Sequence, residues 1–171
     1  MILLVHLLFG AAIGSVVKNV PLAIILAFLS HYFLDFFPHI EYPIENNNKK
    51  QWSACAGRHR ISLDILKIIL DFCLGILLIF IFFNSSSLSP SRQLIVYICA
   101  LLAILPDSFT ILSYFMPNKI LEIHDKFHQK VHFLEDNPSS LRSSGQIKIS
   151  KFWRIFSQII ILIISVILLR Y

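Results

Sequence analysis

The sequence predicts an all-α membrane protein with about five transmembrane helices and a further His-bearing helix at one membrane face. Three observations carry that expectation. Of 171 residues, 56% are hydrophobic and 15% charged, with a mean hydropathy of +0.72, too apolar for the polar-out alternation of a soluble domain. Apolar runs of near-hydrocarbon length recur along the chain, separated by polar connections at about 38–60 and 137–150. Where ionisable residues enter those runs they gather toward one end, so residues 1–171 read as a single membrane-embedded helical domain.

Met1 to Val17 is the first apolar segment, short against the roughly 20 residues that a ~30 Å hydrocarbon core needs. It has no basic leader region and carries an early His6, so it reads as retained and not as a removable signal. His6, Gly10 and Gly14 follow at four-residue steps on one helical face, a histidine above a small-residue stripe that lets another helix approach closely. A packing face with an incidental histidine is the plainer reading of the same pattern. After a turn at Lys18-Asn19, the second segment runs from Val20 to Phe37 and ends within Ser30 to Tyr42, SHYFLDFFPHIEY. His31 and Asp35 are four apart and so lie one turn above each other. Pro38 cannot continue the helical ladder and biases Phe37 out of the helix, which should turn His39 back from the helix end. An Asp in such a segment costs roughly 2.5–3.5 kcal/mol to insert, which makes it a functional candidate.

Pro38 to Arg60 is a polar connection with the run Asn46-Asn47-Asn48-Lys49-Lys50, a headgroup anchor in Trp52, and His59 between two arginines as a solvated loop residue. Ser62 offers an N-cap to a third helix, Leu63 to about Phe83, with Asp64 in its first turn. Asp71 lies well inside that apolar run, where Lys67 one turn earlier either pairs with it or snorkels to the interface. Asn84 to Pro90 forms a turn, and the fourth segment, Leu94 to Phe115, is interrupted by Leu105-Pro106-Asp107. The proline permits a kink, and Asp107 is then either aimed into a cavity or caps the following turn. Lys119 to Asp136 reads as a helix with His124, His128 and His132 on one face, a metal-binding stripe or a row of surface residues. The last span, Phe152 to Leu169, bears no acid or histidine and only Arg154 near its start, and reads as a scaffold or anchor.

Alternating spans put the N-terminus, the first polar connection and the region from Pro117 to Lys151 on one side. That side carries Lys49, Lys50, Arg58, Arg60, Lys119, Lys126, Lys130, Arg142, Lys148 and Lys151, so it is expected to be cytoplasmic, with the C-terminus outside. The formal charge of +5 is therefore topological, and with no basic helix face or recognition motif, nucleic acid is not an expected partner. Cys55, Cys73 and Cys99 show no CxxC spacing, and no phosphate-binding loop, HExxH pair or nucleophile elbow occurs. At ~1.5 Å per residue, His6 lies about 8 Å and Asp71 about 13 Å from the basic side, and Asp35 and Asp107 return to the same half. Carboxylates crowded at low dielectric would protonate, whereas a divalent cation reverses the penalty and holds imidazoles neutral. His and Asp without Cys suit zinc, manganese or iron, and an open ligand position would activate water.

The chain resembles the YdjM-like family of bacterial inner-membrane proteins, described as membrane-bound metal-dependent hydrolases. The resemblance covers most of the chain to about His132. It rests on His6 with Gly10 and Gly14, His31-x3-Asp35-x2-Pro38-His39 with Glu41, Asp71, Leu105-Pro106-Asp107, and Phe127-His128-x3-His132. HYFLDFFPH is also remotely similar to the His-x3-Asp, Pro and His of helical zinc-dependent phospholipases C and nucleases, with the last His arriving sooner here. The family implies a multi-pass protein of the bacterial inner membrane that hydrolyses a phosphoester or other ester, plausibly of a lipid. On this reading His31, Asp35, His39 and Asp107 are the first metal ligands, zinc the expected ion, and His6, Asp71, His128 and His132 complete or orient them. Asp35 or Asp71 would act as the catalytic proton acceptor. Two rivals stand beside it: a metal or proton carrier, and a structural membrane protein whose polar groups pair between helices.

Overall fold

Leucine- and isoleucine-rich runs punctuated by Asn, Ser and Pro fold as helices throughout the computed structural model, which describes residues 2–39, 58–84, 89–116, 118–131 and 151–170. Among these are seven helices and no strand: α1 (Leu3–Val16), α2 (Val20–Asp35), α3 (Arg58–Asn84), α4 (Pro90–Ala103), α5 (Leu105–Phe115), α6 (Lys119–Val131) and α7 (Lys151–Arg170). α1 is apolar all round and is accordingly the central helix. Its Leu4, Val5, Leu7, Leu8, Ala11 and Ala12 are buried, and it packs on α2, α3, α4 and α7.

Both ends of α1 are satisfied by other helices. No side chain of its own caps the N-terminus; the Leu4 N–H donates instead to Asp71 Oδ2 of α3 at 2.9 Å. At the other end the Arg92 guanidinium of α4 donates to the carbonyls of Ser15, Val17 and Lys18. An anion at the N-terminus and a cation at the C-terminus also suit the helix dipole. α2 then begins on Asn19, whose side chain accepts from the Leu22 N–H at 3.0 Å, with Pro21 in the first turn where its missing N–H costs nothing. The small-residue stripe works as expected. A Cβ on Gly10 would sit 2.5 Å from the Ala103 Cβ and 2.6 Å from the Cys99 carbonyl oxygen, and one on Gly14 would sit 2.9 Å from the Val96 Cα. α1 and α4 therefore touch nearly backbone to backbone.

Contacts fix the helix directions. Arg92 at the C-terminus of α1 and Ala103 at Gly10 make α4 antiparallel to α1. α7 is parallel to α1, since the Ser157 hydroxyl donates to the Pro38 carbonyl at one end and Ser15 to Leu168 at the other. α3 is also parallel, with Asp71 at Leu4 and Gly75 against Leu7. α1, α3 and α7 thus lead away from one end of the bundle while α2 and α4 lead toward it. α5 and α6 pack together and against α2, with α5 continuing from α4 at that same end.

Among the described residues, two helices are long and apolar enough to cross a membrane, over Ile65–Phe82 and Phe152–Arg170. The pair Pro90–Ala103 and Leu105–Ser113, bent by 41°, makes a third if it is one span. α1 and α2 are apolar but have only 14 and 16 residues, about 21 and 24 Å of helix. The surface agrees with a membrane setting: Ile25, Phe33, Leu70, Phe80 and Ile163 are each more than half exposed, while His6, His31, Asp35 and His39 are buried. A soluble monomer rarely shows so much contiguous apolar surface.

Some boundaries differ from expectation. α3 begins at Arg58, not Leu63, so Ser62 and Asp64 lie within the helix and His59 is helical instead of looped; no Gly or Pro separates Arg58 from the apolar run, and nothing stops the helix from extending back. The fourth segment starts earlier, at Pro90, and is two helices. The expected helix to Asp136 is seen to Val131. His132, Glu41, Trp52, Cys55 and most of both polar connections fall outside the described residues.

Candidate metal centre

The α2 C-terminus supplies the first pair. One helical turn apart, His31 Nε2 and Asp35 Oδ2 are 3.0 Å apart and buried. Phe36 ends the helix, and the chain reverses at Pro38 so that His39, also buried, brings its Nε2 to 4.0 Å from Asp35 Oδ1. The break between α4 and α5 supplies two more groups. Pro106 sits in the first turn of α5, and the C-terminal carbonyls of α4 lose intrahelical donors there. That of Ala103 accepts from His31 Nδ1 at 2.8 Å. Asp107, in the same first turn, places Oδ1 3.5 Å from His31 Nε2. α6 contributes His128, whose Nε2 is 2.9 Å from His31 Nε2, 3.4 Å from Asp35 Oδ2 and 3.5 Å from Asp107 Oδ1.

One ligand atom from each of His31, Asp35, Asp107 and His128 therefore falls within 4.8 Å of every other. Metal–ligand bonds of about 2.0–2.1 Å place tetrahedral ligand atoms about 3.3–3.4 Å apart, close to these separations. Tautomers sharpen the point. A carbonyl only accepts, so the Ala103 contact fixes the proton of His31 on Nδ1 and leaves its Nε2 lone pair facing two carboxylates and the His128 nitrogen. Acceptors facing acceptors repel unless a proton or a cation sits among them. Orientation of a ligand imidazole by an Nδ1–H to a backbone carbonyl is the usual support of a metal-binding histidine. His39 is held the same way, Nδ1 donating to the Phe37 carbonyl at 2.6 Å. Two carboxylates among neutral imidazoles carry the charge that one divalent ion offsets.

Of the residues expected at a site, the structure brings together His6, His31, Asp35, His39, Asp107 and His128. His6 stacks on His31 with ring centroids 4.3 Å apart and places Nε2 3.2 Å from Asp35 Oδ1. Asp71 stands apart from the four-residue group, at the N-terminus of α1. Sequence reasoning missed Tyr32, whose hydroxyl meets His124 Nε2 at 3.0 Å beneath the stacked His128. In an apolar run a tyrosine beside a histidine carries no distinguishing signal. Burial, and then the neighbouring His128 and His31, hold His124 below the ordinary imidazole range. Exposure is uneven across the cluster: the Asp107 side chain is 26% exposed and that of Asp35 1%. Comparison of the chain with protein-family models, curated proteins and solved structures returns no match.

Proposed function

We propose that the protein is a membrane-bound metal-dependent hydrolase, with zinc as its ion, acting on a phosphoester or other ester of a lipid at the cytoplasmic leaflet. The observation that carries this reading is the buried cluster in which His31, its Nδ1 spent on the Ala103 carbonyl, turns Nε2 to within 2.9–3.5 Å of Asp35, Asp107 and His128. The motif resemblance to the YdjM-like family points the same way. A divalent ion held there would supply Lewis acidity, lowering the pKa of bound water to about 7 for zinc and polarising a phosphoryl or carbonyl oxygen. The chain's own residues do the rest. His31, Asp35 and His128 would hold the ion from inside and leave its fourth position to water, and Asp107, the more exposed carboxylate, would accept and pass on that water's proton.

The setting supports a lipid substrate. In this reading α1, α2, α3, the bent α4–α5 pair and α7 make five spans, with α6 at the face. α1 and α2 fall roughly 6–9 Å short of a ~30 Å hydrocarbon core. The site at their ends then lies at headgroup depth and opens sideways to lipid. Transport is less well served, because beyond the cluster the described interior is dominated by Leu7, Leu8, Ala11, Ile79 and Ala100, and the buried Ser165 there spends its hydroxyl on the Ile161 carbonyl.

Metal analysis of the detergent-purified protein tests the reading. Wild type is expected to hold stoichiometric zinc, lost in a His31→Ala, Asp35→Asn double variant, and to release product from phosphoester or ester-lipid substrates. Asp35→Asn should abolish that release while the protein still inserts. A wild type that stays metal-free after incubation with zinc, manganese or iron overturns it, and so does unchanged turnover in Asp35→Asn.

A further inference from the structure

We infer a second divalent-cation position beside the first, with Asp35 as the bridging carboxylate and His6 and His39 as its imidazole ligands. The inference rests on the metal reading above and extends it.

The two oxygens of Asp35 face different groups. Oδ2 faces His31 and His128, at 3.0 and 3.4 Å. Oδ1 faces His6 and His39, at 3.2 and 4.0 Å. His39 repeats the device seen at His31: its Nδ1–H is spent on the Phe37 carbonyl, which leaves the Nε2 lone pair on the side of Asp35. His6 gives the independent sign. It is fully buried, yet neither ring nitrogen makes a hydrogen bond, although Nε2 is only 3.2 Å from a carboxylate oxygen. A buried imidazole without hydrogen bonds is unfavourable unless a ligand satisfies it. The contact to Asp35 is close but falls outside hydrogen-bond geometry.

A carboxylate bridging two ions about 3.5–4 Å apart is the arrangement of two-metal hydrolytic sites, in which attacking and leaving oxygens are stabilised together. Three protein ligands at the second position leave room for substrate. Two divalent ions against the carboxylates of Asp35 and Asp107 give the pocket a net positive charge. An anionic phosphoester offsets that charge and a neutral ester does not, so the second ion narrows the substrate class to phosphoesters.

The test uses the full chain in detergent, stripped by chelator and dialysed against Zn²⁺ alone. Wild type is expected to bind two ions, and H6Q and H39Q one each. Cobalt-loaded wild type should show a metal–metal vector of about 3.5–4 Å by X-ray absorption. Saturation of wild type at one ion, or unchanged stoichiometry in both variants, overturns the second position and leaves the hydrolase reading standing. Absence of any ion overturns both. If the variants do not fold, wild-type stoichiometry and the metal–metal vector decide the matter by themselves.

Discussion

Asp35 is the residue on which the cluster turns, because each of its oxygens meets imidazoles from a different part of the chain. Its imidazole partners must be neutral to bind a cation and protons compete with the ion for them, so retention of zinc should fall as the pH is lowered. Equilibrium dialysis from pH 8 to 5 checks this, and pH-independent occupancy would remove the histidines from the site. His124 adds a second pH effect. Its value lies below the ordinary 6.5 through burial first. The stability contributed by the neutral ring is therefore fully present above the unfolded value and is lost as pH falls through the lowered folded one. His124→Phe should flatten part of the acid-side fall in Tm without changing zinc stoichiometry, as thermal unfolding in detergent at pH 7 and pH 5.5 would show. His31, Asp35 and His39 were legible in the sequence because titratable groups in an apolar run are costly and one proline fixes the turn. The Ala103 carbonyl that sets the His31 tautomer was not, since a backbone oxygen leaves no trace in residue identity.

At the scale of elements, the site depends on how closely α4 approaches α1, because Ala103 both packs on Gly10 and orients His31. Gly10→Val forces the helices apart, with an overpacking cost of about 1–3 kcal/mol, and should weaken zinc binding roughly 10–100-fold as the supporting carbonyl moves. Competition with a chromophoric chelator measures that loss. Gly75→Ala is the control, since its added methyl presses on the flexible end of Leu7 and meets backbone, the Leu4 Cα at 3.6 Å, only at ordinary van der Waals distance. Asp71 is a different kind of residue from Asp35. It caps α1 from another helix, and its change to Asn should cost about 0.5–2 kcal/mol in stability while the protein keeps its metal. Measuring Tm and zinc content of Asp71→Asn beside Asp35→Asn separates the two roles. The sequence marked Asp71 as costly and therefore used, but the same insertion cost is met by a helix cap as by a metal, and only the packing of α3 on α1 distinguishes them. The kink before Asp107 was legible from Pro106. The start of α3 was not, because Ser62 resembles a cap and only the absence of a breaker before it argues otherwise.

The whole molecule places its polar groups inside one end of a bundle whose outer surface is apolar, the reverse of a soluble protein. Helix directions bring the N-termini of α1 and α7 and the C-terminus of α2 to that end. The Lys- and Arg-rich connections flank the same end in the sequence, and the proposed cytoplasmic placement of the candidate site rests on the positive-inside bias alone. A native cysteine reports on this directly, because Cys55 belongs to the polar connection that follows His39. Cys73 and Cys99 lie in α3 and α4 as free thiols and are removed for the assay. In intact spheroplasts an impermeant maleimide should leave Cys55 unlabelled and should label it once the membrane is permeabilised. Labelling of Cys55 in intact spheroplasts would put the centre on the outer face, where a substrate from the outer leaflet, and not a cytoplasmic one, would have to reach Asp107.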